Sequence, residues 1–505
     1  MYDMKDLYEA RSVDHAISLL KEHPEAQIIA GGSDVLVQMR EGKRAGVELV
    51  SIYGLDELRG VRMEKDGTLR IGPLTSFSHI AEDPLIRRYI SVLGEAVDMV
   101  GGPQIRNIGT IGGNTCNGVT SADSASTLFA WDAVIELTGP EGVRQIPIRD
   151  FYIRAGKVDL RPAELQTGIL IRRDSYEGYR GHYIKYAMRN AMDIATLGCS
   201  VNVKLSDDKK TFIDVRIAYG VAGPVPIRAA HAEAAGRGLP VTEDSIEKIS
   251  STVLEDVTPR DSWRASKAFR EHISKVLCKR ALTEAVKMAG QEDTEDIGEG
   301  VTEDSAEAGE SVEICRDAAP KTVQFSGDSA GIRTGNRRYK LVRCRINGVE
   351  REAVVDVRAS LTDMLRNDYS LTSVKKGCEV GECGACNVII DGECYNSCIY
   401  LAVWADGKEI RTLEGLMGPG GELSDIQQAF IDEAAVQCGF CTPGVIMSAV
   451  EILESGKEYS RDELRKLLSG HLCRCTGYEN ILNAVEKTMK KRLAEKGGIS
   501  LCSDN

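Results

Sequence analysis

The sequence predicts a multidomain α+β chain, on three observations. At 505 residues it is too long for a single hydrophobic core. Its first 290 or so residues alternate helical and strand-like patterns, and beyond residue 338 strand and helix signals give way to a wholly helical stretch. Between the two parts lies QEDTEDIGEGVTEDSAEAGESVE, residues 291–313, acidic throughout, with no Lys or Arg and few apolar groups to bury.

Taken in order, 13–20 (VDHAISLL) has helical spacing. A short apolar strand at 27–30 then runs into Gly31-Gly32-Ser33-Asp34, followed by Val35, Leu36 and Val37. Paired glycines after a strand let the backbone approach an anion closely, although a plain turn has the same signature. A second glycine-rich stretch occupies 105–114 (IRNIGTIGGN), with Asp123 beyond it. Two such loops, with a carboxylate able to accept from a ribose hydroxyl, suggest a long dinucleotide clamped at its pyrophosphate. No complete G-x-G-x-x-G follows a strand, so a Rossmann-type NAD domain is unsupported.

Residues 182–223 read as strands and 244–290 as helices. Lys185 lies on the first of these strands, either as a surface lysine or as a cationic neighbour of a flavin and its phosphates. Cys116, Cys199 and Cys278 lack partner spacing and read as packed thiols. The seven histidines form no ligand or triad pattern, and neither H-E-x-x-H nor G-x-S-x-G occurs, which leaves hydrolytic chemistry without support. The acidic stretch reads as a linker continuing to about residue 336, the rival reading being a docking tail for a basic partner. After it, strands at 339–346 and 352–357, a helix at 361–367, a cysteine loop and two strands ending near Arg411 follow the order of a β-grasp ferredoxin. Residues 424–489 should form a small helical bundle.

Eight of the nine cysteines from 378 to 475 carry the strongest chemical signal. Cys378, Cys383 and Cys386 follow C-x4-C-x2-C, with Cys398 as the distal fourth, the spacing of a plant-type [2Fe–2S] site. Gly377, Gly381 and Gly384 allow a tight loop that aims backbone N–H groups at an anionic cluster. A zinc site favours C-x2-4-C pairs at both ends and does not suit this spacing. Cys394 reads as a bystander on the hairpin that turns at Asp391-Gly392. Cys438 and Cys441, and Cys473 and Cys475, each precede a helix start, so two positive helix ends could face one cluster.

A net charge of −13 argues against nucleic acid as a partner. MYDMKDLYEA contains no apolar signal region and no run is long enough to span a bilayer. With 15 cysteines, the reading is a cytoplasmic protein whose thiols stay reduced or bind metal.

With these residues in hand, the chain resembles the bacterial xanthine dehydrogenases and related molybdenum hydroxylases. AGGSDVLVQM, IRNIGTIGGNTCNGVTSADS, KYAMRNAMDIATLG and PRDSWRASKAFR resemble the FAD-binding subunit, and GCEVGECGACNVIIDG, NSCIYLA, ADGKEIRTLEG, QCGFCTPGVIM and CRCTGY the [2Fe–2S] subunit. Eukaryotic relatives place the iron–sulfur part first; here the order is reversed, and no large molybdopterin subunit is present in the sequence.

The resemblance implies a two-lobed, vanillyl-alcohol-oxidase-like FAD-binding domain at 1–175, an α+β flavoprotein C-terminal domain at 176–290 and an acidic flexible linker at 291–337. A plant-type [2Fe–2S] ferredoxin domain at 338–415 and a four-helix-bundle [2Fe–2S] domain at 416–495 follow. It implies FAD contacts from Ile29, Ala30, Gly31, Gly32, Ser33, Asp34, Val35 and Leu36, and from Thr110, Ile111, Gly112, Gly113 and Asn114, with Asp123 near the ribose or adenine and Lys185 near the flavin. It implies a cluster on Cys438, Cys441, Cys473 and Cys475 nearer the molybdenum, with Gln437 touching the pterin, and one on Cys378, Cys383, Cys386 and Cys398 nearer FAD. The aromatic residue that some relatives place beside the flavin has no counterpart near Val100.

The expected function is electron transfer from a large molybdopterin-binding catalytic subunit through the clusters to FAD, and on to NAD or a ferredoxin-type acceptor, in a dimer of heterodimers. The substrate would be a purine, another aromatic N-heterocycle or an aldehyde. The competing readings are an autonomous NADH-oxidising flavin and iron–sulfur reductase, and a carrier or assembly scaffold whose flavin site is vestigial.

Overall fold

A computed structural model of the chain describes residues 1–291, 332–334 and 337–499. The amino-terminal lobe is a small parallel sheet in which Val47–Ser51 lies between Met4–Glu9 and Gln27–Ile29. Helix Val13–Glu22 connects two of these strands, and its N-terminus is closed by Ser12, whose hydroxyl accepts from the His15 amide. The second lobe is a five-stranded antiparallel sheet in the order Val61–Met63, Leu69–Ile71, Leu165–Ile171, Val134–Gly139, Gly142–Pro147. The expected two-lobed architecture is therefore present.

A four-stranded antiparallel sheet follows, built on Tyr179–Tyr186, Leu197–Leu205 and Phe212–Gly220 with the short strand Ile227–Arg228 at its edge. Helix Lys267–Gly290 packs on it through Ile273, Leu277 and Ala281, which share a core with Val201, Val203 and Ile217.

The β-grasp unit begins earlier than its expected start at 338. Ile332–Thr334 pairs with Arg337–Ile346, so the last residues assigned to the linker belong to this sheet; residues 292–331 lie outside the described part. Arg337–Ile346 also pairs with Val349–Asp356 and, in parallel, with Glu409–Arg411, while Asn387–Ile390 and Glu393–Asn396 complete the sheet. The Asp391-Gly392 turn has φ of 49° and 93°, the left-handed pair that a two-residue hairpin needs. Four helices, Asp425–Asp432, Thr442–Glu454, Arg461–Leu467 and Glu479–Ile499, form the last domain. No helix among the described residues is long and apolar enough to cross a membrane.

The amino-terminal lobe and the β-grasp unit share one hydrophobic core. Met4, Leu7, Leu36 and Leu49 pack with Val342, Leu361, Leu401 and Trp404. The Tyr2 amide donates to the Arg358 carbonyl (2.8 Å), and the Trp404 indole donates to the Ser51 hydroxyl (3.1 Å).

Candidate functional site

Between the two amino-terminal lobes lies a cleft of about 450 Å³, within the size range of small-molecule sites. It is lined by Ala30, Gly31, Gly32, Ser33, Asp34 and Val35 from the first glycine loop and by Thr110, Gly112, Gly113 and Asn114 from the second. The loops lie against each other because Gly31 has no side chain: a Cβ there would sit 1.8 Å from the Ile108 carbonyl oxygen. Ile29, Leu36 and Ile111 do not line the cleft. Their side chains are fully buried in apolar cores, where they hold the loops in place.

The second loop is the start of helix Ile111–Asn117, and its amides are already engaged. Ile111 N–H donates to the Thr75 carbonyl, Gly112 N–H to Pro73, and Gly113 N–H to the Thr110 hydroxyl. Most amides of the second loop are therefore spent within the protein, and the first loop is the richer source of main-chain donors facing the cleft. Cationic Arg44 and Arg161 also line the cleft, and its aromatic side chain is Phe77. These three had no signal in the sequence, because each is brought in from a separate segment with no motif around it. A narrow cleft with glycine walls and two guanidiniums suits a dinucleotide diphosphate.

Asp123 and Lys185 do not line the cleft. They are buried together: the Asp123 carboxylate accepts from the Tyr183 hydroxyl (2.7 Å) and from Lys185 Nζ (2.8 Å). Burial raises the Asp123 carboxyl above the usual range, and Lys185 and Tyr183 counteract this. The expected free ribose acceptor is thus already paired in this structure. The pair adjoins the cleft through Ser124, whose hydroxyl donates to Asn114 Oδ1 (2.6 Å).

In the first cysteine group the Cys383 and Cys398 thiols lie within reach of Cys378, and Cys398 within reach of Cys386. Cys386 and Cys398 are buried, and Cys378 and Cys383 are half-buried. Cys378 Sγ accepts from the amides of Val380 (3.4 Å), Glu382 (3.3 Å) and Cys383 (3.4 Å), so the loop solvates a thiolate with main-chain donors. The Cys383 and Cys398 thiols, followed by these amides, hold the Cys378 thiol far below its usual range. Gly381 and Gly384 have φ of 79° and 69°, and a Cβ on Gly377 would meet Cys383 Sγ at 2.7 Å. Cys394 points away into the core of the helical domain, where its thiol accepts from Ser448 (3.6 Å). The fit to a [2Fe–2S] cluster rests on this donor set: four convergent sulfurs in a pocket of amides.

In the second group Cys441 caps helix Thr442–Glu454, with Pro443 in its first turn, and Cys473 and Cys475 precede helix Glu479–Ile499. Cys438 and Cys475 are exposed, with their sulfurs 3.6 Å apart, while Cys441 is buried and Cys473 half-buried. Gln437 is exposed beside them. Around it Val436, Phe440, Leu472 and Tyr478 are also exposed.

Helix Pro103–Ile108 connects the cleft to the first cysteine loop. Its carboxyl end carries Ile108, whose carbonyl rests on Gly31, while Ile105 approaches Gly381 so closely that a Cβ there would be 3.0 Å from its Cδ1. From the other side the Tyr2 hydroxyl donates to the carbonyl of Cys398, and Arg40 stacks on Tyr2 (4.4 Å) and pairs with Glu379 (3.5 Å).

Four protein-family models match the chain. They are the FAD binding domain in molybdopterin dehydrogenase over 2–171, the CO dehydrogenase flavoprotein C-terminal domain over 182–285, a 2Fe-2S iron-sulfur cluster binding domain over 344–412 and a [2Fe-2S] binding domain over 412–486. The putative xanthine dehydrogenase FAD-binding subunit of Escherichia coli K12 is 43% identical over 57% of the chain and 99% of its own length. The xanthine dehydrogenase iron-sulfur-binding subunit of Escherichia coli O157:H7 is 51% identical over 29% of the chain and 94% of its own length. A chain of carbon monoxide dehydrogenase from Hydrogenophaga pseudoflava superposes with a TM-score of 0.54 at 27% identity, covering 57% of this chain and 99% of that one. FAD and two [2Fe–2S] clusters are therefore the cofactors of this oxidoreductase. The chain belongs to the xanthine dehydrogenase family of molybdenum hydroxylases, and carries the family's flavin-binding and iron–sulfur parts in one polypeptide.

Proposed function

We propose that the chain is the electron-transfer component of a molybdenum hydroxylase, taking electrons from a separate molybdopterin-binding catalytic subunit and delivering them to NAD or a ferredoxin-type acceptor. The observation that carries this reading is the order of the sites. The second cysteine group exposes Cys438 and Cys475, none of the four in the first group is exposed, and helix Pro103–Ile108 leads from the first to the cleft. That order favours entry at Cys438 and Cys475 and exit at the flavin. When bound, the clusters carry single electrons and FAD can pass on a pair, which makes the flavin the junction with a hydride acceptor.

The chain's own residues hold and separate these groups. The eight cysteines ligate, the amides of the 378–383 loop offset charge, and Gln437 with its exposed apolar neighbours offers a face for the catalytic subunit, since a cluster of exposed apolar groups marks an interaction surface. Asp123 and Lys185 would support the flavin from beneath Asn114. The substrate class proposed is a purine or a related aromatic N-heterocycle, and the resemblance extends the proposal to a cytoplasmic dimer of heterodimers.

The test is substrate-driven bleaching of the flavin in the complex purified from its native cell. Cys475→Ser should leave the flavin bound and reducible by dithionite, yet abolish its reduction by substrate and remove one iron–sulfur EPR signal. Unchanged bleaching in that variant would refute the route. Rapid NADH oxidation by the chain alone, with a dye and no partner, would favour an autonomous reductase instead.

A further inference from the structure

At the point where the flavin unit, the β-grasp domain and the helical domain meet, three buried polar side chains converge on the hydroxyl of a fourth. Gln104 Nε2, from helix Pro103–Ile108, donates to Ser448 Oγ (2.9 Å), and Asn387 Nδ2, from the β-grasp sheet, donates to the same oxygen (3.0 Å). His471 Nε2 stands 2.8 Å from it. Gln104, Ser448, Asn387 and His471 are 1%, 1%, 3% and 4% exposed, so water does not substitute for any of these contacts.

Two amide N–H groups reach the Ser448 oxygen, and its own hydroxyl stands within reach of both His471 Nε2 and Cys394 Sγ. The other ring nitrogen of His471, Nδ1, is buried. That nitrogen packs on Gly384, between Cys383 and Cys386, where a Cβ would meet it at 2.4 Å. One residue on, Leu472 N–H donates to the Cys383 carbonyl (3.1 Å), and Cys473 follows. The knot therefore sits directly between a ligand of one cluster and a ligand of the other.

Two glycines admit it. A Cβ on Gly470 would lie 1.8 Å from Gln104 Oε1, and one on Gly444 would lie 2.0 Å from the Gly384 carbonyl oxygen. Helix Pro103–Ile108 has a second polar contact with the iron–sulfur part, from Asn107 Nδ2 to the Cys394 carbonyl (2.8 Å), which uses none of the four side chains of the knot.

We propose that Gln104 is a positioning residue for electron transfer between the two clusters. Inserted from the flavin unit, its amide completes the knot that locks the two cluster-bearing domains at one spacing. The transfer concerned moves one electron and no proton from the Cys473 side to the Cys383 side, so its rate depends on that spacing and not on any group on Gln104 itself. The proposal presupposes that the eight cysteines hold two clusters.

The experiment uses the full holoprotein with both clusters reduced by dithionite, and reads the splitting of the low-temperature EPR signals caused by magnetic interaction between them. Gln104→Leu should retain both signals and the iron content of the parent but show a smaller splitting. Gly470→Ala, which removes no hydrogen-bonding group but displaces the amide, should do the same. Asn107→Ala, at the same interface, should lower thermal stability and leave the splitting unchanged. If Gln104→Leu does not fold, Gln104→Glu keeps the size and removes the donor, and the same decrease is expected. An unchanged splitting in the Gln104 variants, or an equal change in Asn107→Ala, overturns the proposal. A parent protein with fewer than two signals would instead refute the cysteine assignment on which it rests.

Discussion

Gly31 and Tyr2 show how single residues tie the cofactor sites to the frame. A methyl group at Gly31 cannot coexist with the Ile108 carbonyl, so Gly31→Ala should force the two glycine loops apart and strip the protein of flavin. The ratio of flavin to protein absorbance after desalting checks this, with iron content expected to stay at the parent level. Tyr2→Phe removes a buried donor from the carbonyl of Cys398 and should cost ~1 kcal/mol, read as a lower thermal midpoint. The cysteines were legible in the sequence because a ligand loop is local: C-x4-C-x2-C and its glycines fold around their own centre. Asp123 was expected at the ribose or adenine and Lys185 at the flavin, and their pairing with each other was not legible, since a separation of 62 residues hides the contact. Gln104 carried no signal at all, because its partners lie in two other domains.

Among the elements, helix Leu361–Asn367 shows how a short segment is held by its ends. Ser360 and Asp363 form a reciprocal capping box, with the Ser360 hydroxyl accepting from the Asp363 amide (3.1 Å) and the Asp363 carboxylate accepting from the Ser360 amide (3.2 Å). Burial opposes the charge on Asp363, but Lys376 and Ser360 outweigh it and hold the carboxyl at about 2. A carboxyl depressed in the folded state stabilises fully above its unfolded value of about 4 and loses that contribution as pH falls toward 2. Asp363→Ala should therefore cost about 1 kcal/mol at neutral pH, by denaturant titration, and the difference from the parent should shrink on acidification. Helix and strand positions in this domain were legible from periodicity. The start of its sheet at Ile332 was not, since a charged, glycine-rich lead-in gives no alternation to read.

For the molecule as a whole, the flavin and iron–sulfur parts form one body through a common apolar core. Cleavage at a protease site introduced within residues 292–331 should leave the two fragments co-eluting on gel filtration. Because the joint is mainly apolar, raised ionic strength should not separate them. The domain sequence was legible from composition and motif order, but the docking of the first lobe onto the last third of the chain was not, as nothing local to Met4 or Leu7 specifies Val342 or Leu401 as their neighbours. That shared core also sets a timetable for synthesis. Met4, Leu7, Leu36 and Leu49 emerge from the ribosome long before the segment that covers them, so the first lobe must wait, partly bare, until the β-grasp unit has been translated. A chain halted before residue 338 should in consequence leave this apolar face bare and depend on chaperones.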